Sequence, residues 1–232
     1  MENYDSINYR SAADEKRKFL SRTYGWMTLA LIISAASAFL TATNQSLLRL
    51  LFGNGAIGFW VIAIGEIALV WWLSASIRKI STTAATVAFV VYSILNGFTL
   101  SSIFIVYTGT SIMYTFLASA GMFGAMSLFG MRTKQDLTSA GRYLTMGLIG
   151  VIIVSIINIF LKSSGLDWLI SLITVVIFTG LTAYDSQKML AAAGYADGSE
   201  TFKKASIIGA LELYLDFINI FLSLLRLFGR RN

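Results

Sequence analysis

ISTTAATVAFVVYSILNGFTLSSIFIVYTGTSIMYTFLASAGMFGAMSLFGM, residues 80–131, runs without a single charged side chain. A run of that length accommodates two membrane spans of about 20 residues each. A soluble helix of the same length would need a polar outer face, and this stretch offers none. The bias extends to the whole chain, which is 56% hydrophobic and 13% charged. Soluble domains carry about 25% charged residues, so the solvent for this chain is a lipid bilayer. The expected fold is all-α and integral to the membrane.

Outward from that run, apolar stretches recur at residues 24–43, 56–77, 83–107, 111–131, 141–161, 167–191 and 205–228. Seven transmembrane helices are expected, joined by short polar breaks. Residues 1–23 form a polar N-terminal segment and residues 24–232 one seven-helix transmembrane domain. Lys and Arg gather at alternate span ends. Thirteen, among them Arg10, Lys16, Arg17, Lys18 and Arg22, fall on the side of the N-terminus, and five on the other. The excess marks the N-terminus as cytoplasmic. Arg226, Arg230 and Arg231 run against this count, and six spans followed by a re-entrant segment is the alternative. Residues 205–228 are long enough to cross, which favours seven. Short connections and the lack of a targeting segment point to a bacterial inner membrane.

Cysteine, histidine and proline are all absent. Zinc sites of the usual ligand type, Fe–S clusters and His-ligated haem are thereby excluded, as is a Ser–His or Cys–His nucleophile. No cofactor is expected. The net charge of +6 sits at span ends rather than on one patch, so nucleic acid is not an expected partner. The bilayer is the partner that composition implies. A pH response between about 5 and 8 lacks its usual switch residue and must come from carboxylates or the terminal amine. Hard cations bound by oxygen remain accessible.

Two carboxylates stand inside apolar helices: Asp185 in Leu181-Thr-Ala-Tyr-Asp-Ser-Gln-Lys-Met189, and Asp216 in Glu212-Leu-Tyr-Leu-Asp-Phe-Ile-Asn219. An ionisable group within a span is expensive and marks a functional site by default. On the last helix Glu212, Asp216, Asn219, Ser223 and Arg226 share an arc of about 80° at 100° per residue. A stripe that narrow should face other helices or a water-filled path, placing this helix centrally; interhelical hydrogen bonding alone is the plainer reading. Span six carries a milder stripe of Ser171, Thr174, Thr182 and Asp185. Asp185 lies about 13 Å before Gly194 and Asp216 about 18 Å after Lys204, at about 1.5 Å per residue. The two therefore reach similar depth on antiparallel neighbours. Carboxylates in contact at low dielectric do not both ionise easily and titrate as a unit. Glu66, alone in span two, reads as an ion ligand along a path or a partner for Arg78 or Arg226. Asn96 and Asn158 read as helix glue, and the five tryptophans as interfacial anchors.

These residues resemble the Bax inhibitor-1 family, also called the transmembrane BAX-inhibitor-motif family, in a bacterial form. The resemblance rests on Thr182-Ala-Tyr-Asp-Ser-Gln-Lys188, on Ala210-Leu-Glu-Leu-Tyr-Leu-Asp-Phe-Ile-Asn219 and on the terminal Leu224-Leu-Arg-Leu-Phe-Gly229. It implies six helices wrapped around a central C-terminal one, and a pH-sensitive calcium leak controlled by a hydrogen-bonded aspartate pair, here Asp185 and Asp216. The family's intramembrane glutamate matches Glu66. Close bacterial relatives place an arginine eleven residues further on; here that position is Ile77, and Arg78 follows it.

The expected function is thus a pH-sensitive calcium leak channel without enzymatic activity. Asp185 and Asp216 are its sensor and gate, Glu66, Glu212, Arg78 and Arg226 line the ion path or act as counter-charges, and Asn219 and Tyr184 support them. Asp185, Asp216 and Glu66 are the candidate calcium ligands. A proton-coupled transporter is the alternative. An intramembrane aspartyl protease shares Tyr184-Asp185 but would need Gly-x-Gly-Asp where Leu213-Tyr-Leu-Asp216 stands, and a Pro-Ala-Leu motif that a proline-free chain lacks.

Overall fold

A computed structural model of the chain describes residues 2–232, and in side-chain detail residues 13–53 and 55–232. Arg10, one of the residues in the orientation count, lies outside that side-chain detail. The helices are α1 (Glu2–Thr43), α2 (Gln45–Phe52), α3 (Ile57–Ser76), α4 (Thr82–Leu100), α5 (Ser102–Val106), α6 (Gly109–Arg132), α7 (Thr138–Leu161), α8 (Ser164–Ala193) and α9 (Glu200–Phe228). Seven are long and apolar enough to cross a membrane, counting Thr82–Val106 as one, and they fall on the seven expected spans. The chain is an all-α integral membrane protein.

Local chemistry sets the breaks. Asn44 Oδ1 accepts from the Ser46 and Leu47 amides and starts α2, while Ser81 Oγ and Thr108 Oγ1 accept from Ala84 N and Ser111 N at the heads of α4 and α6. Such side chains satisfy donors that a helix start leaves without partners. Asn158 belongs to the same class. Its Oδ1 accepts from Ser163 N at 3.1 Å, so it closes the end of α7 instead of joining two helices as expected.

Packing divides the chain into two compact units, Met1–Val106 with Ala192–Tyr214, and Tyr107–Ala191 with Leu215–Asn232. In the first, α1 lays a continuous buried stripe (Phe19, Thr23, Met27, Ala30, Ser34, Ala38, Thr41) against α4. The matching face of α4 is Ala85, Ala88, Phe89, Tyr92, Ser93, Asn96 and Gly97. A Cβ on Gly97 would lie 2.6 Å from Ser34 O and 2.5 Å from Ser37 Cβ, so only glycine lets these two helices approach so closely. The long α1 spans about 60 Å at 1.5 Å per residue, twice a hydrocarbon core. Its early part packs through Phe19 on Phe202 of α9. Lys204 Nζ donates to Ile80 O at 3.0 Å, and Thr82 N donates to Glu200 Oε1 at 3.1 Å. The polar part of α1, the second connection and the sixth connection therefore share one end, as an N-terminus on their side requires.

The second unit is built on α6, α7, α8 and the later half of α9. Ile177, Phe178 and Leu181 of α8 form one buried cluster with Ile220 of α9, flanked by Leu144, Leu148 and Val151 of α7. Phe217 stacks edge-on with Phe116 and Phe123 of α6. At the end of the chain, Arg230 N donates to Ser111 Oγ and Thr108 N donates to Arg230 O, each at 3.0 Å, while Arg231 pairs with Tyr107. The C-terminus is therefore held at the third connection. Helix α9, 29 residues long, has the length and apolar character of a membrane-crossing helix.

Burial ranks the spans. Of the most apolar window in each, 67% is enclosed in α9, 44% in α8 and none in α7. The α7 surface shows Met146, Ile149, Ile153, Ile156 and Phe160. Apolar exposure on that scale is tolerable only against lipid. The exposed Trp60, Trp71, Trp72 and Trp168 suit anchoring positions.

Candidate functional site

The Tyr184-Asp-Ser-Gln-Lys188 motif occupies the last third of α8, and each side chain has a distinct task. The Tyr184 ring lies flat over Gly141 of α7, where an added Cβ would approach the ring to 2.6 Å. Ser186 Oγ donates to Ser127 Oγ of α6 at 3.0 Å, fully buried. Gln187 braces the connection between α6 and α7: its Nε2 donates to Gln135 O at 2.8 Å and its Oε1 accepts from Leu137 N at 2.9 Å. Asp185 stands among these with 13% of its side chain exposed, 4.0 Å from Lys188 Nζ. An open cavity of about 440 Å³ adjoins Tyr184, Gln187 and Lys188, with Lys134, Asp136 and Thr138 opposite.

On α9, Asp216 is 3% exposed. The apolar cluster fixes its register with α8. One helical turn beyond Leu181 lies Asp185, and one turn before Ile220 lies Asp216. On antiparallel neighbours these opposite steps lead to the same level. Four other polar residues of these stripes bond within their own helices. Ser171, Thr174 and Thr182 donate to the carbonyls of Asp167, Ile170 and Phe178, and Asn219 donates to Leu215 O.

Arg226 departs from expectation. It is exposed, although the arc it shares with Asp216 should face inward. It occupies the last turn of α9, where a long side chain can reach out of the apolar layer and a cation complements the helix dipole. Arg78 is likewise exposed, in the turn after α3, and Glu212 is half-buried. Among the described residues no three Asp or Glu side chains gather as a resident metal site would require. The set of Asp185, Asp216 and Glu66 as calcium ligands has no such cluster behind it among the described residues.

Glu66, 8% exposed, is not alone in its span. Its Oε2 accepts from Asn96 Nδ2 and its Oε1 from Thr99 Oγ1, both at 3.0 Å. Neutral α4 side chains therefore partner it, and not Arg78 or Arg226, the pairing offered beside the ion-ligand reading. Asn96 Oδ1 in turn lies 2.7 Å from the Tyr214 hydroxyl of α9, which lies 2.7 Å from Ser34 Oγ of α1. Asn96 is the helix glue its position suggested. Tyr214 and Ser34 were missed because a lone hydroxyl in an apolar helix gives no periodic signal. Lys188 as the cation nearest Asp185 was legible from its i+3 spacing, but the sequence reading counted it only toward orientation.

The chain matches the family model "Inhibitor of apoptosis-promoting Bax1" over residues 16–232. It is 49% identical to "Inner membrane protein YbhL" of Escherichia coli strain K12, across 92% of both chains. An uncharacterized protein of Borreliella burgdorferi is 46% identical across 93% of both. An uncharacterized membrane protein of Streptococcus pyogenes serotype M1 is 37% identical, over 98% of this chain and 99% of that one. With seven membrane-crossing helices and the paired aspartate motifs on the last two, the chain belongs to the Bax inhibitor-1 family of multi-pass membrane proteins.

Proposed function

We infer that this protein is a pH-sensitive calcium leak of the inner membrane, gated by Asp185 and Asp216. One observation carries the reading: two carboxylates, one buried and one nearly so, stand at one level, each a turn from the same apolar cluster, on antiparallel helices. In a chain without histidine, such a pair is the natural proton sensor. Sharing a proton, the pair stabilises one arrangement of α8 and α9; with both carboxylates ionised, repulsion favours another. The open cavity beside Tyr184 and Lys188 gives cytoplasmic access to the α8 motif. Glu212, and Glu66 when ionised, supply negative field along the path. Lys188 takes over the counter-charge role near Asp185, and Arg78 and Arg226 act at exposed helix ends. The N-terminus is cytoplasmic, the activity is not enzymatic, and no cofactor or nucleic acid takes part.

The test is Ca²⁺ flux in proteoliposomes at several pH values beside empty liposomes. A passive leak that varies with pH supports the reading. Saturable uptake driven by an imposed proton gradient would replace it with proton-coupled transport, and flux equal to that of empty liposomes at every pH would remove it.

A further inference from the structure

The buried polar chain that starts at Glu66 is one hydrogen short. Four contacts link it: Glu66 Oε2 to the Asn96 amide at 3.0 Å, Asn96 to the Tyr214 hydroxyl at 2.7 Å, Tyr214 to Ser34 Oγ at 2.7 Å, and Ser34 Oγ to Ser93 O at 2.7 Å. Oxygens 2.7 Å apart need a hydrogen between them. With Glu66 ionised, Asn96 Nδ2 serves the carboxylate and the Tyr214 O–H serves Asn96 Oδ1. The single hydrogen of Ser34 is then left to serve both Tyr214 and Ser93 O. One contact must lack its hydrogen.

A proton on Glu66 supplies what is missing. The Asn96 amide turns end for end, exchanging its oxygen and nitrogen without moving the group. Glu66 Oε2–H then donates to Asn96 Oδ1, and Asn96 Nδ2–H donates to the Tyr214 oxygen. Tyr214 O–H donates to Ser34 Oγ, and Ser34 O–H donates to Ser93 O. The Thr99 hydroxyl, whose one hydrogen is shared between Glu66 Oε1 and Asn96 O, is the same in both forms. Each of the four contacts of the chain now has its own hydrogen, and the direction of donation has reversed between Glu66 and Tyr214.

The surroundings agree. From α4, Asn96 and Thr99 bond Glu66 and Tyr92 adds a phenol to its surroundings, while Tyr214 of α9 joins through Asn96. Ser34 of α1 joins through Tyr214. The two tyrosines are the titratable members, and both are neutral phenols near neutral pH. Helix α2, packed at the start of α3, contributes Arg49, which is exposed. Among the described residues no Lys or Arg forms an ion pair with the carboxylate. Ser34, Ser93, Tyr92 and Tyr214 are all nearly inaccessible, and the Tyr92 and Tyr214 rings meet edge-on at 5.8 Å, so water cannot readily make up the deficit.

We propose that Glu66 is a proton-binding site whose proton completes a hydrogen-bond chain through Asn96, Tyr214 and Ser34, and whose release reverses that chain. The site is distinct from the aspartate pair and does not rest on the leak reading. It ties the protonation of span two to the hold of α1 and α4 on Tyr214, two residues before Asp216. When the proton leaves, either Tyr214–Ser34 or Ser34–Ser93 is lost, and α1 is held less tightly to α9 or to α4.

Infrared difference spectra of the full chain in lipid nanodiscs, taken across a pH titration, test this. Wild type should show, apart from any band that Asp216→Asn removes, a protonated-carboxyl component that disappears as pH rises, together with a change in a tyrosine C–O–H mode. Glu66→Gln should lose both, because its amide can donate to Asn96 Oδ1 at every pH and fix the acid-form direction. Tyr214→Phe should keep the carboxyl band and lose the tyrosine change, and Asp216→Asn should keep both. That carboxyl component untouched by Glu66→Gln, or a Glu66 band with no tyrosine response removed by Tyr214→Phe, overturns the proposal. Either result leaves the flux measurement free to stand or fall separately.

Discussion

Gly130 of α6 lies in backbone contact with Ala183 of α8, two residues before Asp185, so close that an added Cβ would overlap the Ala183 carbonyl. The contact and the Ser127–Ser186 hydrogen bond one turn away set how α8 presents its aspartate. Gly130→Ala must force the helices apart, and overpacking of this kind costs about 1–3 kcal/mol. Gly121→Ala, on the same helix with nothing within 4 Å of the new carbon, should be neutral or stabilising by up to about 1 kcal/mol. Thermal unfolding of the two variants in the same detergent checks the contrast. Equal melting temperatures would mean that this contact does not govern α8.

The exposed carboxylates of the connections make a control for the sensor. Hydrogen bonds from Thr138, side chain and backbone, hold the Asp136 carboxyl below its ordinary range, and those from Ser199 do the same for Asp197. A carboxylate depressed in this way contributes stability above its unfolded value, about 3.9, and loses it as pH falls through the depressed one. Neither group changes charge between about pH 5 and 8. Asp136→Asn and Asp197→Asn should therefore leave the midpoint of the flux–pH curve in place. A displaced midpoint in either variant would transfer part of the sensing to the loops.

Orientation is open to a direct test because the chain has no cysteine. The N-terminal part of α1 shares an end with Glu200, and Arg231 pairs with Tyr107 at the third connection. In right-side-out cells or spheroplasts, Lys16→Cys should be protected from an impermeant maleimide and Arg231→Cys should be modified. Protection of both would restore the re-entrant alternative for the last helix.

Much of the fold was legible because span length and charge gaps are properties of composition, and lipid enforces them without tertiary detail. All seven helices fell where apolar runs stood. Registers and hydrogen-bond partners were less legible. The arc containing Asp216 was correct for that residue and failed at Arg226, since a helix end lets a long side chain leave the face its angle assigns. Glu66 read as solitary because Asn96, Thr99 and Tyr214 lie on other helices, and pairing between spans leaves no mark at fixed spacing. Asn158 read as glue because a cap at a span end and a bond between helices demand the same residue type.

The most direct test of the central claim is Ca²⁺ flux into proteoliposomes between about pH 5 and 8, comparing wild type with Asp185→Asn and Asp216→Asn. The account predicts a leak that varies with pH in the wild type and is flattened in both variants, since each removes one partner of the proton-sharing pair. A pH dependence that survives intact in both variants would contradict it.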